Sequence, residues 1–346
     1  AGGSIGSELA RQIIRLNQKK LILIELSEFS LYQINTELQE FNNKTDEKIE
    51  IITLLASIQN EKRIRKIIEI FKPNTIYHAA AYKHVPLVEE NVCEGVLNNV
   101  WGSMVVARAA VDFGVSNFVF ISSDKAVRPT NVMGASKRLA ELCIQAIYAA
   151  NKQKNSKLSM VRFGNVLGSS GSIIPKFKRQ IKNGGPVTLT HPEVTRYFMT
   201  IPEAAQLVIQ SGAMAEGSDV FILDMGKAIK IKDLIERIIK LSGFSVKDDT
   251  NIDGDIEIKI TGLRPGEKLY EELLIGNNPE PTLHPKIYKA HDEFISLNKL
   301  DPETKKLFDL INQNEVKDVI KLLQKLVNGY NPDFIIVDES YKSGTK

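Results

Sequence analysis

The first half of the chain alternates short, uninterrupted apolar runs with longer stretches of helical period. The runs predict strands over Leu21–Glu25, Ile49–Leu55, Asn74–Ala81, Asn117–Ser123 and Leu158–Asn165. Helical periodicity predicts helices between them, most clearly over Gly95–Gly114 and Ala135–Lys152. Strands that lack polar alternation are buried on both faces, as in parallel sheets. Strand and helix taking turns then predict an α/β fold: a doubly wound parallel Rossmann sheet.

From about Gly168 the texture changes. "GSSGS", "NGGP" and "HPEVTRYF" read as loops, with helical patterns at Pro202–Gln210 and Lys232–Leu241, a strand at Ile256–Ile260 and the turn "GLRPGEKL". This predicts a smaller, mixed α/β lobe for substrate. Pro302–Asn328 reads as helical, with Val316, Ile320, Leu323 and Val327 on one stripe. The expected organisation is a nucleotide-binding domain over 1–167, a lobe mainly for substrate over 168–290 and a helical extension over 291–346. "DTNIDGDIEIKI", from Asp249, imitates the start of a calcium loop, but Ile260 stands where a bidentate Glu is needed and a strand follows, so a turn is expected.

Composition narrows the function classes. In 346 residues, 45 basic and 42 acidic side chains leave a net charge of +3, too little for a field that would attract nucleic acid. Cys93 and Cys143 sit in apolar helical patterns and read as reduced core residues of a cytoplasmic protein. The five histidines have no metal-ligand spacing, and no metal is expected. No run is apolar enough to cross a bilayer. The chain opens inside a glycine turn that normally follows a buried strand, so a preceding strand is expected upstream of Ala1.

That opening turn, "AGGSIGSEL", places Gly3 and Gly6 where a dinucleotide fingerprint has its second and third glycines, with Gly2 beside them as a further cofactor contact. Bare backbone lets a pyrophosphate approach the amides of Ser4 and Ile5 at the helix start. Glu25 ends a strand about 20 residues on, where an acid accepts from the adenosine ribose and repels a 2′-phosphate. NAD is therefore favoured over NADP.

"SSDKAVRPTNVMGASKR", Ser122–Arg138, starts at the carboxyl end of a buried strand and runs into a helix, the crevice where open α/β sheets bind ligands. Lys137 lies one helical turn beyond Met133. Asp124 and Lys125 put two titratable groups beside Ser123, and environments that separate such groups' pKa values make an acid and a base. The pair points to elimination rather than simple redox. A Tyr stands at the Met133 position in ordinary short-chain dehydrogenases/reductases, and a thioether cannot move a proton. Either the protein has lost its chemistry or other groups perform it.

The chain resembles the nucleotide-sugar 4,6-dehydratases of bacterial polysaccharide biosynthesis, the CapD-like family of extended short-chain dehydrogenases/reductases acting on UDP-N-acetylglucosamine. The resemblance runs from Gly2 to about Leu274 and rests on "AGGSIGSEL", "ELSEFSLY", "HAAAYKHVPLVEEN", "SSDKAVRPTNVMGASKR", "RFGNVLGSSGSIIPKF", "VTRYFMTIPEA" and "GLRPGEKLYEEL". One branch of that family is similar in carrying Met at the Tyr position. The resemblance implies hydride removal from sugar C4, loss of water across C5 and C6, and hydride return to C6, with Asp124 as acid, Lys125 as base and Ser123 on a substrate hydroxyl. The acceptor of the C4 hydroxyl proton stays open between Lys125, Asp124 and a water held by Lys137. Lys137 is also expected on the nicotinamide ribose.

The resemblance further implies that Ala79, Ala80 and Asn99 line the cofactor, and that Lys83, Asn165, Arg196, Arg264 and Glu267 contact the UDP-sugar: the arginines its diphosphate, Glu267 its uridine ribose. Where many relatives hold adenine with an Asp, this chain has Ser57, leaving adenine to backbone and Ile58. A homo-oligomer, and a membrane tether in an upstream segment, are the remaining expectations. Two other readings stay open: a UDP-sugar 4-epimerase or reductase, and a binding protein without turnover.

Overall fold

The computed structural model describes residues 1–16, 18–272, 279–332 and 336–344. The end of the quoted "GLRPGEKLYEEL" and the expected limit at Leu274 lie outside the described residues.

The parallel strands form as the apolar runs predict. Thr75–His78, Asn117–Ile121, Lys157–Arg162 and Val220–Leu223 pair side by side in parallel, and Ile287–Ala290 joins Val220–Leu223 antiparallel. Lys20–Glu25 and Glu50–Leu55 form a separate parallel pair, in register from Lys20↔Glu50 to Glu25↔Leu55.

The central strands Asn117–Ile121, Lys157–Arg162 and Val220–Leu223 are buried on both faces, and alternate residues feed two cores. Phe118, Phe120, Leu158 and Met160 pack under the helices Gly102–Asp112 and Val132–Ala150. Val119, Ile121, Val161 and Phe221 face the other way, against Leu9 of helix Ser4–Ile13 and Ala204, Ala205 and Val208 of helix Ile201–Met214. That is the double winding expected.

After residue 168 the chain builds a second core from Phe177, Ile181, Val187, Leu189, Ile235, Ile239 and Ile256. Helices Ile173–Lys182 and Ile231–Leu241 cover strands Val187–Leu189 and Ile256–Ile260 there. The chain returns to the main sheet at Val220–Leu223 and again at Ile287–Ala290.

Four local expectations are corrected. The helix expected over Gly95–Gly114 is interrupted by a π-helical turn at Leu97–Trp101, a feature that marks functional sites more often than chance. Pro302–Asn328 is two helices, Leu297–Asn312 and Val316–Leu326, parted by Asn314 at φ 58°. The strand expected over Asn74–Ala81 stops at His78, freeing the next residues for a loop. The strand expected over Leu158–Asn165 ends at Arg162, and Asn165–Leu167 pairs instead with Phe198–Thr200 of the second lobe. No helix among the described residues is long and apolar enough to cross a membrane.

Candidate active site

A cavity of about 750 Å³ opens where the two lobes meet at the carboxyl ends of the sheet strands. That is large enough for a ligand beyond drug-fragment size. Gly3, Ser4, Ile5 and Gly6 line one end, Ser123, Lys125, Met133 and Lys137 the centre, and Arg196, Arg264 and Glu267 the opposite lobe.

The central loop is fixed from below. Asn131 caps the helix Val132–Ala150, accepting from the Gly134 amide at 2.8 Å, and Gly134 lets the Lys125 carbonyl lie directly on that helix. Asp124 is buried: its Oδ1 accepts from Ser123 Oγ at 2.8 Å and Lys125 Nζ at 3.1 Å, and its Oδ2 has no partner among the described residues. Lys125 Nζ also donates to Asn165 Oδ1 at 3.2 Å. Burial works against the Lys125 charge, but Asp124 and Glu271 beside it win, and its pKa is raised. As folded, Lys125 is a cation, so the expected base holds a proton it would first have to lose.

Lys137 behaves oppositely. Its amine is buried over the Phe120 ring, 4.5 Å from the centroid, and donates to the Ile121 carbonyl at 2.8 Å. Desolvation outweighs the Glu141 charge and brings its pKa down to about 7. Burial also lowers the Lys83 pKa. Met133 is 2% exposed yet borders the cavity, so it both fills core and forms wall.

At the glycine turn, Gly3 leaves the start of helix Ser4–Ile13 without a side-chain cap, and a Cβ there would stand in open space. Glu25 Oε2 accepts from the Gly2 amide at 2.6 Å, bringing the strand-end acid to the turn. Uncapped amides, open room above Gly3 and the adjacent acid suit a dinucleotide's pyrophosphate and ribose. Ala79 borders the cavity, whereas Ala80 does not figure in its lining. Ser57 Oγ accepts from the Gln59 amide at 3.2 Å, and Ile58 packs on Gly102. Asn99, fully buried in the π turn, accepts from the Tyr82 amide at 2.9 Å and donates to the Tyr82 carbonyl and to Ser136 Oγ, each at 3.0 Å. Its side chain thus braces the Tyr82 loop instead of facing the cavity.

On the second lobe, Arg196 Nη2 donates to Glu267 Oε1 at 3.1 Å, and Glu267 Oε2 accepts from the Arg264 amide at 3.2 Å. Arg264 is exposed at the cavity edge and Lys83 lies among the lining residues. Sequence reasoning missed Glu271. Its carboxylate sits 3.5 Å from Lys125 Nζ and 3.7 Å from Arg196 Nε, bridging the lobes. The signal was present in "GEKLYEE", but nothing in spacing singled this acid out.

The family described as polysaccharide biosynthesis protein matches residues 1–292. The capsular polysaccharide biosynthesis protein CapD of Staphylococcus aureus is 48% identical over 328 residues, 94% of this chain and 52% of that protein. The probable polysaccharide biosynthesis protein EpsC of Bacillus subtilis is 46% identical over 329 residues, 91% of this chain and 53% of that one. The chain therefore spans about half the length of these curated relatives. Among solved structures, Pen from Bacillus thuringiensis is 34% identical with a TM-score of 0.70, covering 79% of this chain and 80% of that one. The chain belongs to the polysaccharide biosynthesis protein family, with CapD and EpsC among its relatives.

Proposed function

We propose that the protein is a UDP-N-acetylglucosamine 4,6-dehydratase that retains NAD. The observation carrying this reading is the buried Asp124–Lys125 contact of 3.1 Å, set in a cavity with a dinucleotide turn at one end and two arginines at the other. An epimerase needs no second acid–base pair.

Bound NAD⁺ would supply the hydride acceptor for C4 and the donor for C6. The chain's residues do the rest. Lys137, titrating near neutrality, takes the C4 hydroxyl proton that Met133 cannot handle and releases it to solvent once the 4-ketone has formed. Passing one proton from Lys125 to Asp124 yields a neutral amine and a carboxylic acid. The amine removes the C5 proton, acidified by the 4-keto group; the acid protonates the C6 hydroxyl, which leaves as water. As hydride returns to C6, the protonated Lys125 delivers a solvent-exchangeable proton to C5 and then regains one from solvent, which restores the charged pair. Ser123 orients the sugar hydroxyl, Arg196 and Arg264 neutralise the diphosphate, Glu267 accepts from the uridine ribose, and Lys83 and Asn165 border the sugar.

The reading is tested by incubating protein, NAD⁺ and UDP-N-acetylglucosamine and weighing the product. A sugar nucleotide lighter by one water supports it. An isomer of unchanged mass means epimerisation, and no product despite UDP binding means a binding protein.

A further inference from the structure

The charge on Lys125 is set from both lobes. Three charged groups face it: Asp124 from its own loop, and Glu271 and Arg196 from the second lobe. Asp124 Oδ1 is shared with Ser123, whereas Glu271 stands between the two cations, 3.5 Å from Lys125 and 3.7 Å from Arg196. The Glu271 side chain is 4% exposed, and its Oε2 is buried without a partner among the described residues. An anion buried this way costs free energy unless cations offset it, and Lys125 and Arg196 are the cations in place.

We propose that Glu271 is a positioning residue: it holds the proton on Lys125 and couples that proton to whatever anion engages Arg196. The coupling follows from charge. Arg196 lowers the proton affinity of Lys125 and Glu271 raises it. A diphosphate on Arg196 neutralises the opposing cation, so Lys125 binds its proton more tightly when the nucleotide is seated. The importance of this for turnover rests on the dehydratase reading; the coupling itself does not.

Trace acylation of the lysines, quantified by mass spectrometry against the other lysines across pH 7 to 10, reads the neutral fraction of Lys125 without any turnover. Glu271→Gln, which removes charge at nearly constant shape, should speed labelling of Lys125 about tenfold at a given pH, one unit of proton affinity. UDP affinity by calorimetry should stay within about threefold, since Arg196 also has Glu267. Glu271→Asp, which disturbs packing but keeps the charge, should label nearly as slowly as wild type. Unchanged labelling in Glu271→Gln overturns the proposal. So does equally fast labelling in both variants, which would mean loosened packing. Because neither readout involves product, absence of dehydration would count against the proposed function and leave this result standing.

Discussion

Gly134 presses its bare Cα against the carbonyl of Lys125: a Cβ there would collide with that oxygen and stand 3.1 Å from both the carbonyl carbon and Pro129 Cβ. The first turn of the site helix is thus the floor on which the Asp124–Lys125 loop rests. Gly134→Ala should lift the loop, costing roughly 1–3 kcal/mol of stability by overpacking. Turnover should fall at least about tenfold, because acid–base geometry tolerates little displacement. UDP affinity, set on the other lobe, should hold; steady-state kinetics and calorimetry separate the two.

Met133 contributes shape and no proton. Met133→Leu keeps volume and apolar surface, so activity should remain within about threefold and stability within about 1.5 kcal/mol. A loss of two orders of magnitude, seen in initial rates, would show that the thioether does more than fill space.

Lys137 predicts a stability–pH signature. Its folded pKa is depressed to about 7, below the ordinary lysine value of about 10.4. Between those values the unfolded chain holds a proton that the folded chain lacks, so stability rises with pH across that window and falls as pH drops toward 7. Below 7 both states are protonated and the effect levels off. Lys137→Met removes this slope, a difference of order 4 kcal/mol across the window. Urea unfolding of the ligand-free protein at pH 7 and 9, wild type against variant, should show about 2–3 kcal/mol of that difference.

Behind the site lies a buried charge network. Arg162, fully buried, pairs with Glu141 at 2.6 Å and Asp292 at 2.5 Å, and Ser122 Oγ donates to Glu141 at 2.6 Å. Arg162→Met leaves Glu141 and Asp292 to share the Arg138 guanidinium, 3.0 and 3.2 Å away, and should cost about 3 kcal/mol in denaturant unfolding. A cost under about 1 kcal/mol would mean the network is not what ties strand, helix and Asp292 together.

The doubly wound core was legible because strands buried on both faces show no polar alternation, as Asn117–Ile121 does not. Interruptions were less so. The π turn at Leu97–Trp101 keeps helical periodicity, and its lock, Asn99 on Tyr82 and Ser136, links residues up to 37 apart. Asn314 parts two helices through a left-handed backbone that Asn tolerates, a signal lost inside an unbroken apolar stripe. The site loop announced itself through Asp124, Lys125 and Lys137, local in sequence. Glu271 and Asp292 did not, because their partners lie far along the chain: Asp292 lies 130 from Arg162, and Glu271 meets Lys125 only where the lobes close.

The most direct test of the account is turnover of UDP-N-acetylglucosamine carrying deuterium at C4, in ordinary water, with the product read by NMR. The product expected is a 4-keto-6-deoxy sugar whose C6 methyl carries that deuterium. Deuterium retained at C4, or lost to solvent without appearing at C6, would contradict it.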